Sequence, residues 1–139
     1  MRIALTLTAA PESSESFAAA LRFAHAALLA GHEIAGVFLL QDAVTLADAS
    51  PRTALAQSWL ELGRAAGVDI GVCIGAAGRR EVRLVAAPAT EVLHSSPGSV
   101  SDRVGDAGLG VPAASFCALG MGQIVMALAA ADRVVEFRG

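Results

Sequence analysis

Short apolar runs of strand length alternate with stretches of helical period along the whole chain, and this alternation restricts the architecture more than any other feature. Residues 2–8 set Ile3, Leu5 and Leu7 on one face of a strand, at the period of two that a pleated chain requires. Pro11 breaks that strand. Ser13 or Ser14 then caps a predicted helix running to about Ala30, with Gly31 as its stop and Phe17, Leu21, Ala24 and Leu28 as its apolar stripe. Glu33 to Leu40 is a second strand, apolar enough for burial on both faces. After a loop from Ala47 to Pro51, Thr53 caps a second helix to about Ala66, striped by Leu55, Trp59 and Leu62 and ended by Gly67. Asp69 to Ile74 is a third strand, and Gly75 to Arg80 a turn that opens a short helix. Residues 86–110 hold Pro88, Pro97, Gly98 and clustered serines, the signature of a long irregular surface loop. Ala114 to Leu119 is a fourth strand, Gly120-Met121-Gly122 turns it into a helix to about Ala131, and Arg133 to Phe137 is a fifth strand. Strands and helices alternating at this spacing imply βαβ units, one domain over 1–139, and a mostly parallel five-stranded sheet covered on both faces.

Hydrophobicity is high enough, at 55% of residues, that a membrane span has to be weighed. No charge occurs between Ala107 and Ala131, but Pro112 and four glycines interrupt that run. Much of its apolar character is alanine, which gains little from lipid, and no basic cluster flanks it. A strand followed by a buried helix is the better reading, with no membrane association. The N-terminal Ile3–Leu7 stretch is too short for a signal peptide, and Glu12 and Glu15 follow closely. A net charge of −3 gives no basic footprint for direct nucleic-acid binding. Two cysteines are too few for a disulfide scaffold, which favours a reducing compartment. In the last helix Gln123 is the sole polar residue between Met121 and Ala131. A helix apolar all round needs cover on every side, so a partner chain is expected over part of it, the alternative being a helix tucked under the 86–110 loop.

In an open parallel sheet, reactive groups collect beyond the C-terminal strand ends. Cys73 is placed there, followed by the amides of Gly75 to Gly78 and the charges of Arg79 and Arg80. A thiol at a helix N-terminus beside arginine is more readily ionised, which suits thiol exchange or carriage of sulfur as a persulfide. On the residues alone, a lone cysteine in an apolar strand is more often a small buried hydrophobe than a reactive thiol. Cys117 lies mid-strand between Phe116 and Ala118 and reads as core; a Cys73–Cys117 redox pair requires strands three and four to be neighbours. His25, His32 and His94 have no metal-ligand spacing, so no metal is expected. Gly120-x-Gly122 is half of a dinucleotide fingerprint, with Val125 where the third glycine belongs, and supports nucleotide binding only weakly. No cofactor is implied.

Several segments together resemble the DsrE/TusD family of sulfur-carrying proteins: Gly31-His32-Glu33-Ile34, then Val72-Cys73-Ile74-Gly75-Ala76-Ala77 with Arg79-Arg80, then Leu119-Gly120-Met121-Gly122-Gln123, and finally Asp132-Arg133-Val134-Val135-Glu136-Phe137. The resemblance covers most of the chain, and the cysteine segment with its two arginines and the terminal segment are its specific parts. It implies a three-layer α/β/α domain, Rossmann-like in its winding, that transfers sulfane sulfur on Cys73. It implies partners of the TusB and TusC or DsrF and DsrH type in a cytoplasmic hetero-oligomer. TusA-like donors and TusE-like acceptors would serve 2-thiolation of the tRNA wobble uridine, or the DsrE kind would serve sulfur oxidation. A non-catalytic structural subunit of the same fold is the alternative. The family pattern has glycine after the two arginines, where this chain has Glu81, and aromatics where it has Leu39 and Leu40. Its 86–110 segment is also longer than the family's.

Overall fold

In a computed structural model, described here for residues 1–12, 15–48, 53–84 and 115–139, five strands form one parallel sheet in the order β4-β3-β2-β1-β5. The elements run β1 (Arg2–Leu7), α1 (Ser16–Leu29), β2 (Glu33–Leu39), a 3-10 helix (Gln41–Ala47), α2 (Ala54–Ala66), β3 (Ile70–Cys73), α3 (Ile74–Arg79), β4 (Phe116–Leu119), α4 (Met121–Ala129) and β5 (Arg133–Phe137). The expected strands and main helices are all present to within a few residues. The 86–110 segment and the serines at 13 and 14 lie outside the described residues.

The helix ends follow from local chemistry. Glu15 occupies the position before α1 and makes no side-chain cap, so the expected serine cap is not part of what the structure describes. Instead the Ser16 hydroxyl donates to the Arg138 carbonyl, tying the start of α1 to the chain beyond β5. Thr53 caps α2 as expected, its hydroxyl oxygen accepting from the Ala56 N–H at 3.1 Å. Gly31 and Gly67 end α1 and α2 in left-handed conformation, with φ of +89° and +74°. The loop expected from Ala47 is preceded by a turn of 3-10 helix, within which Ala43, Val44, Leu46 and Ala47 are buried. That burial is what a loop reading based on composition does not register.

Strand register sorts the side chains into two layers. Leu5, Leu7, Val37, Leu39, Ile70 and Val72 share the face covered by α1 and α2. Phe17 of α1 and Trp59 of α2 meet there edge to face at 6.1 Å, and Phe23 reaches Phe137 of β5 at 5.9 Å. Thr6, Phe38, Gly71 and Cys117 form a row on the opposite face. Glycine is needed in that row. A Cβ at Gly71 would stand 2.8 Å from both Phe38 Cδ1 and Leu119 Cδ1, so the ring and the leucine close over bare backbone. The return from β4 at one edge to β5 at the other carries α4 across this second face, where it packs on β2 and β3.

The cover that α4 provides is thin. Ile124 is its one buried residue, while Met121, Val125 and Met126 are exposed, Met126 by 75%. Among the described residues α4 therefore keeps an exposed apolar face, and the 86–110 segment weighed as its cover lies outside them. Gln123, its lone polar residue, serves the N-terminus by accepting the Gly120 N–H at 2.9 Å. Among the described residues no helix is long and apolar enough to cross a membrane.

Candidate functional site

Cys73 ends β3 and immediately precedes α3, so its thiol stands at the C-terminal edge of the sheet. It is a free cysteine and only 7% exposed. The residues around it are unlike it in exposure. Ile74, the next residue, is exposed, and so is Met121, two positions past Leu119, the register partner of Cys73 on β4. A buried cysteine is thus followed directly by an exposed apolar residue at the start of α3.

α3 is a single short helix, and the residues expected beside the thiol divide along it. Gly75 is its second residue, in the first turn, where backbone N–H groups have no partner within a helix. The Arg79 side chain folds back along the same helical face, its Nη1 3.5 Å from where a Cβ at Gly75 would stand. Gly78 is elsewhere: it is the fifth residue of α3, where a helical N–H points back to the carbonyl four residues earlier instead of out to Cys73. Arg80 is engaged by other partners. Its Nε donates to Asp42 Oδ1 at 2.9 Å and its Nη1 to the Ala76 carbonyl at 3.3 Å, joining α3 to the 3-10 helix. Gly75 and the Arg79 Nη1 thus lie in the first turn of α3 after Cys73, whereas the Gly78 N–H is inside the helix and the Arg80 guanidinium is bonded to Asp42 and Ala76.

Asp42 is the residue that sequence reasoning passed over. Nothing in its local pattern marks it, because its partner lies 38 positions away and across a strand end. Glu81, where the sequence departs from the family pattern, has φ of +52° and ends α3 in the left-handed region. Its side chain is exposed.

Strands β3 and β4 are neighbours, which meets the condition set for a Cys73–Cys117 pair, but the register does not favour it. Cys117 stands opposite Gly71, two residues before Cys73. A rise of about 3.3 Å per residue and a strand spacing of about 4.8 Å put the two Cα atoms roughly 8 Å apart. Disulfides span at most about 6.8 Å between Cα atoms, so the pair does not close without backbone movement. His32 lies at the opposite, N-terminal end of the sheet, beside the start of β2, and His94 falls outside the described residues. Among the described residues no group of His, Cys, Asp or Glu is placed to hold a metal ion.

The profile of the DsrE/DsrF-like family matches residues 1–137. The chain is 32% identical to Sulfurtransferase TusD of Salmonella newport (strain SL254) over 146 aligned positions, covering 99% of this chain and all of the relative. It is 32% identical to Sulfurtransferase TusD of Enterobacter sp. (strain 638) over 142 positions, with the same coverage. Among solved structures, the crystal structure of the ychN protein from E. coli superposes with a TM-score of 0.66 over 99% of each chain, at 18% identity, which speaks for the fold alone.

Proposed function

Because the chain belongs to the DsrE/DsrF-like family and is a sulfurtransferase like its TusD relatives, we propose that it relays sulfane sulfur as a persulfide on Cys73. The observation that carries this reading is the position of Cys73: a free thiol at the C-terminal end of β3, at the head of α3, with the Gly75 amide and Arg79 on the same side. The Cys73 thiolate attacks the outer sulfur of a donor persulfide. The donor S–S bond breaks, the donor leaves as a thiolate, and Cys73 holds S–SH. An acceptor thiolate then attacks that terminal sulfur, and the Cys73–sulfur bond breaks to return the Cys73 thiolate. No electrons are gained or lost overall, and no cofactor enters the cycle. The Gly75 amide and the Arg79 guanidinium stabilise the anionic sulfur.

Donor and acceptor in this scheme are proteins of the TusA and TusE type, and the chain works in a cytoplasmic hetero-oligomer with subunits of the TusB and TusC or DsrF and DsrH type. The exposed Met121, Val125 and Met126 supply an apolar face for such a subunit. Wobble-uridine 2-thiolation is favoured over sulfur oxidation by the TusD kinship. Loading with a persulfide donor, followed by intact-mass measurement, is expected to add about 32 Da, an increment absent from Cys73→Ser. An increment that persists in Cys73→Ser refutes the assignment.

The low exposure of Cys73 favours a second reading, a structural subunit with an inert thiol. Alkylation of the native protein separates the two. A carrier thiol reacts within minutes, and an inert one stays unlabelled until the protein is unfolded.

A further inference from the structure

Two non-glycine residues among those described have left-handed backbone, Gln41 with φ of +51° and Glu81 with φ of +52°. They are the residues directly before Asp42 and directly after Arg80, the two members of the ion pair that joins the 3-10 helix to α3. Left-handed conformation is unfavourable for side chains with a Cβ and persists where the surroundings enforce it, often around functional groups. Here the two turns bring the ends of the 3-10 helix and α3 together. Thr45 adds a hydroxyl bond to the Asp42 carbonyl at 2.9 Å, and Arg80, 29% exposed, is the more enclosed of the paired side chains. Arg79, its neighbour, is exposed, joins no ion pair among the described residues, and lies over Gly75.

We propose that Asp42 is a positioning residue for the chemistry of Cys73: by pairing with Arg80 it neutralises that charge and leaves Arg79 as the cation that meets anionic sulfur. The inference rests on the reading of Cys73 as a sulfur carrier, and it adds a division of labour between two adjacent arginines. A neutral Asp42–Arg80 pair contributes little field at the thiol, while Arg79, in no ion pair among the described residues, contributes a full charge.

The test compares two alkylating reagents on the full chain, anionic iodoacetate and neutral iodoacetamide. Loosened packing changes both rates alike, whereas a change in local charge alters their ratio. Arg79→Gln is expected to lower the iodoacetate/iodoacetamide ratio by about threefold, the effect of one charge several ångströms away in a partly solvated site. Asp42→Asn frees Arg80 and raises the ratio about twofold, and Asp42→Asn combined with Arg79→Gln returns it towards wild type. Asp42→Asn combined with Arg80→Gln removes a neutral pair and keeps the wild-type ratio. The proposal is overturned if Asp42→Asn leaves the ratio unchanged, or if the Asp42→Asn/Arg80→Gln pair lowers it as far as Arg79→Gln does. Both side chains of the pair reach the surface, and fluorescence of the buried Trp59 verifies that each variant is folded. Sulfur loading of the wild-type chain is measured separately. If the ratios follow this pattern and Cys73 takes up no sulfur, the division of charge stands and the carrier reading fails.

Discussion

Replacing Glu81 by glycine should stabilise the protein, and the reason is repeated three times within the chain. After α1, the His32 N–H donates to the Ala27 carbonyl at 2.9 Å and the Gly31 N–H to the Leu28 carbonyl at 3.1 Å. After α2, Val68 donates to Gly63 at 2.9 Å and Gly67 to Arg64 at 3.3 Å. After α3, Val82 donates to Ala77 at 3.0 Å and Glu81 to Gly78 at 3.3 Å. These are the paired bonds of one C-terminal motif, in which the residue after the cap is left-handed and is usually glycine. The first two instances have glycine there, and the third has Glu81 at φ +52°. Left-handed backbone costs a residue with a Cβ roughly 1–2 kcal/mol. Glycine gives back about 0.5–1 kcal/mol through the greater freedom of the unfolded chain. The net gain expected for Glu81→Gly is therefore about 0.5–1 kcal/mol, a rise in melting temperature of roughly 2–4 °C for a domain of this size. The exposed glutamate has no ion pair among the described residues to lose. Thermal and urea unfolding followed by the fluorescence of Trp59, the single tryptophan, measures the change. Glu81→Gln removes the charge but keeps the Cβ, and should change stability by less than about 0.5 kcal/mol. If Glu81→Gly is no more stable than Glu81→Gln, α3 does not end in a left-handed turn and the reasoning fails.

Gly67→Ala is the mirror experiment and should lower stability by about 1 kcal/mol, since it places a Cβ on the same left-handed turn after α2; an unchanged urea midpoint would count against it. Gly71→Ala should lower stability by roughly 1–2 kcal/mol because its Cβ meets Phe38 and Leu119 at 2.8 Å, and double-mutant analysis with Leu119→Ala should recover part of the loss. Cys117→Ser is expected to load sulfur as the wild type does, since Cys117 stands beside Gly71, so intact mass should still show the persulfide increment. Met126→Asp should leave the isolated chain folded by Trp59 fluorescence and reduce its co-elution with partner subunits; undiminished assembly would remove α4 from the interface.

How much of this was legible in the sequence depends on the range of the interaction. The strands and main helices follow from periodicity, and the ends of α1 and α2 from Gly31, Gly67 and Thr53, all of which act within a few residues. Cys73 at a strand end was equally readable, because strand and turn are local. The separation of Arg79 from Arg80 was not. Adjacent arginines look interchangeable in sequence, and what distinguishes them is Asp42, on another element. Gly78 likewise reads as a turn amide until the segment closes into a helix that engages its N–H. The glycine spacing Gly120-x-Gly122 looked like half a phosphate loop, and its glutamine proves to serve the helix start instead.

The winding of the sheet bears on why sulfur, and not a nucleotide, suits this version of the fold. From β1 the chain steps to β2, β3 and β4 in one direction and then returns past β1 to β5, so its topological switch point lies between β1 and β5. Doubly wound domains hold dinucleotides in the crevice above that point. Here the Thr8 N–H donates to the Phe137 carbonyl at 3.1 Å, the Ser16 hydroxyl donates to the Arg138 carbonyl, and Gly139 lies against Ala9. The chain's own backbone occupies the place of a ligand. Cys73 stands two strands away from it, on β3, beside the edge strand β4. On the proposed persulfide reading, a sulfur atom held by a covalent bond needs no crevice to retain it, but it does need to be reached by another protein's thiol. A position near the sheet edge, directly before the exposed Ile74, meets that need better than the switch point would.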